Sequence, residues 1–256
     1  MTDTHCHLYL DDFKSDIEQV ISRAHSAGVE KMYLPAIDSS THDAMIALEE
    51  NYSGTCHAMM GLHPCYVKEN YLQELDIVEG WLKKRKFVAI GEVGLDFHWD
   101  KTFVKEQYVV LERQIEWAIE YRLPLILHTR KATEETIQVI KRYNSKGLKG
   151  IFHCFGGSLE QAQQIIELGF YLGIGGVVTY KNAGLAEVVK EIDLSKMVLE
   201  TDAPYLSPVP YRGKRNESAY IEEVAGKIAS IKQMDVDEVI GITDKTAQSL
   251  FSRKQS

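Results

Sequence analysis

Apolar and polar positions alternate between two rhythms along this chain. Asp16 to Ala27 places Ile17, Val20, Ile21 and Ala24 at helical spacing and stops at Gly28. Lys31 to Ile37 is a short apolar run of strand character, and Thr41 to Asn51 is helical again, with Ser39 or Ser40 as N-cap. Continuing in the same way, the pattern predicts strands over Thr55–Leu62, Phe87–Val93, Pro124–Leu127, Gly150–Phe152, Phe170–Ile174 and Met197–Glu200. Helices are expected over Tyr71–Lys84, Val104–Arg122, Glu134–Tyr143, Glu160–Leu168 and Leu185–Ile192. A final helical stretch runs from about Ala219 to Phe251, and Met1 to Thr4 supplies a first strand.

Eight strands, each followed by helix, in a chain of 256 residues predict an α/β fold of the (β/α)8 TIM-barrel class, for which about 250 residues is typical. The competing architecture is an open doubly wound sheet. That fold expects a glycine-rich phosphate loop after its first strand, where this chain has His5-Cys6-His7. No repeat and no Pro/Gly/Ser-rich linker interrupts the pattern, so a single domain over 1–256 is expected.

Composition narrows the class. Hydrophobic residues at 45% are enough for a large core, and no apolar run approaches a membrane span. The N-terminus lacks the basic and apolar regions of a signal peptide. Cys6, Cys56, Cys65 and Cys154 show no C-x-x-C spacing and are expected as free thiols in a reducing cytoplasm. A net charge of −8 repels nucleic acid globally. A polyanionic partner would have to be drawn in by local basic groups or bound cations.

The candidate chemistry lies where strands end. His5 and His7 are two apart, so in extended chain they share a face and can grip one divalent metal. His63, His128 and His153 close the third, fifth and sixth strands, and His98 follows the fourth; Glu92 and Asp202 close the fourth and eighth. His25, His42 and His57 fall within elements and are expected at the surface or in packing. Polar residues at the C-terminal strand ends of a barrel line its active site. Imidazoles and carboxylates converging there require a cation, and they suit Zn, Mn, Fe or, with fewer imidazoles, Mg.

Six motifs in order resemble one family: Asp3-Thr4-His5-Cys6-His7, Gly61-Leu62-His63-Pro64, Ile90-Gly91-Glu92-Val93-Gly94-Leu95-Asp96, His128-Thr129-Arg130, His153-Cys154-Phe155-Gly156-Gly157 and Leu199-Glu200-Thr201-Asp202-Ala203-Pro204-Tyr205-Leu206. Together they resemble the TatD metal-dependent deoxyribonucleases, amidohydrolase-like barrels, over essentially the whole chain. The resemblance implies a cytoplasmic phosphodiesterase that hydrolyses DNA, trimming single strands from the 3′ end with two divalent ions (Mg, Mn or Zn). It implies metal ligands at His5, His7, Glu92, His128, His153 and Asp202. Glu92 would bridge the ions, His5 and His7 would hold one, and His128 and His153 the other. Asp202 would hold a metal and orient the attacking water, making Glu92 and Asp202 the catalytic pair. His63 is expected to contact substrate phosphate. The chain departs from the family pattern at Ser218, where proline is common, and at His98, where tyrosine is common; both departures are expected in loops facing substrate.

Basic residues in the strand-to-helix loops extend this expectation. Arg130, Lys181, Arg212, Lys214 and Arg215 can hold flanking phosphates, the alternative for Tyr211–Arg215 being a solvated charge run, and Trp99, Tyr205 and Tyr211 can stack on bases or serve in packing. No membrane association and no stable protein partner are expected. Two rival readings are an amide, ester or lactone hydrolase of the wider amidohydrolase type and a barrel that binds metal or nucleic acid without turnover. The first commonly bridges its metals with a carbamylated lysine where this chain has Glu92.

Overall fold

The structure, a computed structural model, describes residues 1–252. Its strands are β1 (Thr2–Asp3), β2 (Lys31–Leu34), β3 (Cys56–Ala58), β4 (Ile90–Asp96), β5 (Leu125–Arg130), β6 (Gly150–Phe152), β7 (Tyr171–Ile174) and β8 (Met197–Leu199). Its helices are α1 (Ile17–Ser26), α2 (His42–Asn51), α3 (Tyr71–Lys84), α4 (Val104–Tyr121), α5 (Thr133–Arg142), α6 (Leu159–Glu167), α7 (Leu185–Glu191), α8 (Ile221–Lys232) and α9 (Val236–Phe251). All strand pairs are parallel and run in chain order, as an arc β1-β2-β3 and an arc β4-β5-β6-β7-β8. At one seam, parallel bridging pairs Met60 with Ile90; at the other it pairs Cys6 with Ala203, and Thr4 N–H donates to the Leu199 carbonyl. The architecture is a (β/α)8-like barrel.

Two apolar layers hold it together. The larger lies mainly between strands and helices. The smaller joins Tyr33, Met59, Ala89, Ile126, Ile151 and Val198, contributed by or next to six different strands, to Ala247, Leu250 and Phe251 of α9. Phe251 stacks on Tyr33 with centroids 3.8 Å apart, so α9 caps the inner layer. The C-terminal stretch expected as helical comprises two helices, because Gln233 ends α8 in the left-handed region (φ 55°) and the Asp235 carboxylate caps α9.

Strand four is displaced from expectation. It runs Ile90–Asp96 and is buried throughout, whereas the sequence pattern ended it at Val93. Gly94, at φ +148°, makes the extension possible: a Cβ there would lie 2.0 Å from the His128 carbonyl oxygen. The absence of a side chain brings β4 and β5 close and carries Asp96 up to the site.

Candidate metal centre

The polar strand ends meet at one place. Beyond β1 the chain stays extended, tied by Cys6 N–H to the Tyr33 carbonyl and His7 N–H to the Ala203 carbonyl. His5 and His7 therefore share a face, with Nε2 atoms 3.3 Å apart, while Cys6 is turned away, its thiol against the Tyr33 carbonyl oxygen.

Glu92 stands in the middle. Its Oε2 is 3.1 Å from His5 Nε2 and 3.4 Å from His7 Nε2. Its Oε1 is 2.8 Å from both His128 Nδ1 and His153 Nε2, and 3.2 Å from His63 Nε2. Asp202 closes the first group, with Oδ1 3.7 Å from Nε2 of both His5 and His7. His5 and His153 stack face to face at 3.8 Å. The sets His5–His7–Glu92 and Glu92–His128–His153 each converge their ligand atoms within 4.8 Å, and so do His5–His153–Asp202.

The hydrogen bonds around the cluster fix which ring nitrogens face it. Tyr9 donates its hydroxyl proton to the Pro35 carbonyl at 2.5 Å, so it accepts from His7 Nδ1–H at 3.0 Å. His7 Nε2 then presents a lone pair. Asp96 Oδ2 accepts from His128 Nε2–H at 2.9 Å, leaving the Nδ1 lone pair of a neutral ring pointing at the Glu92 carboxylate. His63 has the opposite sense: its Nδ1 accepts from Cys65 N–H, so a neutral ring turns Nε2–H toward Glu92. Lone pairs of His7 and His128 thus confront carboxylate oxygens. A buried arrangement of that kind is repulsive unless protons or cations lie between them. The donor set, imidazole nitrogen with carboxylate oxygen, fits divalent transition ions or magnesium.

The electrostatics describe the same demand. Burial would raise the Glu92 carboxyl, but His153, His63 and His5 and the hydrogen bond from His128 hold it well below the usual carboxylate range. Burial would lower His153, but Glu92 and Glu200 push it well above the ordinary imidazole value. Burial raises Asp202 to about 6, against the opposing pull of His153 and His7.

Three supporting carboxylates went unassigned in the sequence. Asp96 orients His128 and also accepts from the backbone N–H of His98 and Trp99 at 2.8 and 3.0 Å. Glu200, wholly buried, accepts from Cys154 N–H at 2.5 Å and sets Oε1 3.6 Å from His153 Nδ1. Gly173 leaves room for it, since a Cβ there would lie 2.2 Å from Glu200 Oε2. Asp3, raised to about 7 by burial, accepts from Thr201 and Ser218 hydroxyls, each at 2.6 Å. The signal for Glu200 was its place at the end of strand eight; Asp96 lies past the expected end of strand four, and Asp3 carried no comparable signal. Ser218 corrects an expectation: it is fully buried and holds Asp3, and does not face substrate. His98 is exposed, its ring edge-on to Trp99.

A cavity of about 780 Å³ opens over the cluster. Of the basic side chains expected to bind phosphate, Arg130 lines it, while Arg212, Lys214 and Arg215 do not. Arg215 is committed to a bidentate ion pair with Asp16 at 2.8 and 2.7 Å and to the Asp12 carbonyl, and Arg212 lies over the Tyr180 ring at 4.5 Å. Lys214 is exposed. Trp99 and Tyr205 line the cavity, whereas Tyr211 is stacked on Tyr220 at 3.8 Å. No helix among the described residues is long and apolar enough to cross a membrane.

Known proteins resemble this chain over nearly its whole length. A family profile described as TatD related DNase matches residues 2–252. The chain is 40% identical to an uncharacterized metal-dependent hydrolase, YabD, of Bacillus subtilis, over 97% of this chain and 98% of that protein. It is 30% identical to a Pantoea ananatis protein named 3'-5' ssDNA/RNA exonuclease TatD, over 98% of this chain and 99% of that one. The crystal structure of YjjV, a TatD homologue from Escherichia coli, superposes with a TM-score of 0.92 at 31% identity, covering 98% of this chain and 97% of that chain. A match along nearly the entire length, joined to a cluster of histidines and carboxylates suited to metal, leads to one conclusion: the chain belongs to the TatD-related DNase family and is a metal-dependent hydrolase.

Proposed function

We propose that this protein is a deoxyribonuclease that hydrolyses single-stranded DNA from its 3′ end, using two divalent ions (Mg, Mn or Zn). The observation that carries the reading is the division of Glu92: one oxygen addresses His5 and His7, the other His128 and His153. A carboxylate so placed can serve two ions at once. His5, His7 and Asp202 would complete one position, and His128 and His153 the other.

Bound there, divalent ions supply positive charge for an anionic phosphodiester and make water a stronger acid. The chain's own groups do the rest. Asp202, whose Oδ1 lies 3.7 Å from Nε2 of both His5 and His7, is placed to orient the attacking water. His63 turns an N–H toward the centre and can donate to a phosphate oxygen. Arg130 brings a guanidinium to the cavity wall, where bidentate contact with a neighbouring phosphate is available. Arg212 and Lys214, exposed beyond the cavity, can meet phosphates farther along the strand, and the committed Arg215 has a structural part.

The choice of DNA over an amide or lactone rests on these cationic and N–H groups and on the Pantoea relative's name. We place the protein in the cytoplasm, consistent with its four free cysteines. Release of nucleotides from end-labelled oligonucleotides upon metal addition, and its loss in Asp202→Asn, tests the proposal. Hydrolysis of amides or lactones in place of DNA would overturn it.

A further inference from the structure

We propose that Trp99 is a stacking platform for an unpaired base next to the scissile phosphate, and that this ring makes the enzyme favour single strands. The inference rests on the nuclease reading above. Trp99 is 66% exposed, the most accessible of the large hydrophobic side chains, and it lines the cavity over the metal cluster. Large aromatic rings are normally covered, and one left open at a cavity mouth marks a contact surface.

The occupant follows from what surrounds the ring. The Arg130 guanidinium lies over one face of the Trp99 ring, 4.9 Å from its centroid, so a cation for phosphate backs the ring and a base would take the opposite face. Tyr66 and Tyr205, both exposed, line the same cavity and reach the cluster through ring contacts with His63 at 6.0 Å and His7 at 6.4 Å. Planar apolar faces beside a guanidinium match a nucleotide, which alternates a flat base with a charged phosphate. A protein segment of purely apolar character would leave Arg130 without a partner. In a duplex each base face is already stacked, so the platform serves bases that are free.

The backbone that carries the ring is anchored to the chemistry. Asp96 Oδ1 accepts from the Trp99 backbone N–H at 3.0 Å, and its Oδ2 accepts from His128 Nε2–H at 2.9 Å. One buried carboxylate therefore sets the platform and a candidate metal ligand in register. A base stacked on Trp99 would hold its phosphate within reach of the centre.

The test uses the full-length, metal-loaded protein and three readouts. With Mn²⁺, kcat/KM is measured on a single-stranded oligonucleotide and on the same strand carrying abasic nucleotides at its 3′ end, for wild type, Trp99→Ala and Trp99→Phe. Trp99→Ala is expected to lose about 10-fold on the base-bearing strand, Trp99→Phe to keep most of the rate, and all three to match on the abasic strand. With Ca²⁺ added to hold back turnover, tryptophan fluorescence should be quenched saturably by the base-bearing strand. The abasic strand should quench weakly, and Trp99→Phe should not respond. Equal losses on both strands, or unaltered rates together with absent quenching, overturn the platform while the nuclease reading stands. Base-dependent quenching without cleavage under any divalent ion leaves the platform and removes the nuclease. A change of oligomeric state in Trp99→Ala by size exclusion, with both DNA readouts unaltered, would assign the ring to a second copy and overturn the proposal.

Discussion

Asp96 Oδ2 accepts a hydrogen bond from His128 Nε2–H at 2.9 Å, while the other nitrogen of that ring faces the Glu92 carboxylate. A carboxylate in this position fixes tautomer and ring angle together and makes the facing nitrogen more basic. Asp96→Asn keeps the shape and removes the charge. It should weaken divalent metal binding by about 10- to 100-fold, read by competition with a chromogenic chelator. Unchanged affinity would make Asp96 a loop anchor for His98 and Trp99 alone.

Glu92 should be the least replaceable of the candidate ligands. It contacts five imidazoles through two oxygens, whereas His7 serves one side of the cluster. At saturating metal and with folding verified by circular dichroism, Glu92→Ala should retain less activity than His7→Ala. Equal residual rates would count against a bridging carboxylate.

The same cluster makes metal binding compete with protons. Glu92 and Glu200 hold His153 well above the ordinary imidazole value despite its burial, which favours its protonated form in the metal-free protein. A cation must displace that proton, so apparent metal affinity should weaken as pH falls from 8 to 6, with protons released on binding. Calorimetry in buffers of different ionisation enthalpy counts them. Binding without proton release near neutral pH would show that His153 Nε2 does not change hands.

The order of elements and the convergence of the candidate ligands were legible because both follow from one-dimensional patterns. An apolar run followed by His or Glu marks a strand end, and a barrel gathers strand ends at one rim. What escaped depends on contacts between distant segments. Arg215 looked free in a basic run, but its partner Asp16 lies 199 residues away in sequence. Ser218 looked like a loop variation because nothing local shows Asp3 beneath it. Asp96 was hidden by Gly94: a glycine ordinarily weakens a strand, and only its fit against the His128 carbonyl shows why β4 continues through it.

Arg130 and Arg215 should therefore separate experimentally. Arg130→Ala should weaken single-stranded DNA binding and reduce the slope of log K against log salt by about one. Arg215→Ala should leave that slope alone and lower Tm by about 2–4 °C, the scale of roughly 1 kcal/mol from a partly exposed ion pair in a chain of this size. A flattened slope in Arg215→Ala would mean that substrate draws the guanidinium away from Asp16.

Metal-dependent hydrolysis of DNA at the cluster around Glu92 is what the proposed function requires. Its most direct measurement strips the protein with EDTA, restores Mg²⁺ or Mn²⁺, and follows 3′-labelled and 5′-labelled single-stranded oligonucleotides, with Asp202→Asn as control. No product is expected without metal, and mononucleotide release with it. Label should be lost first from the 3′ end, and Asp202→Asn should release nothing. Silence toward DNA with every divalent ion, together with turnover of an amide or lactone, would contradict it.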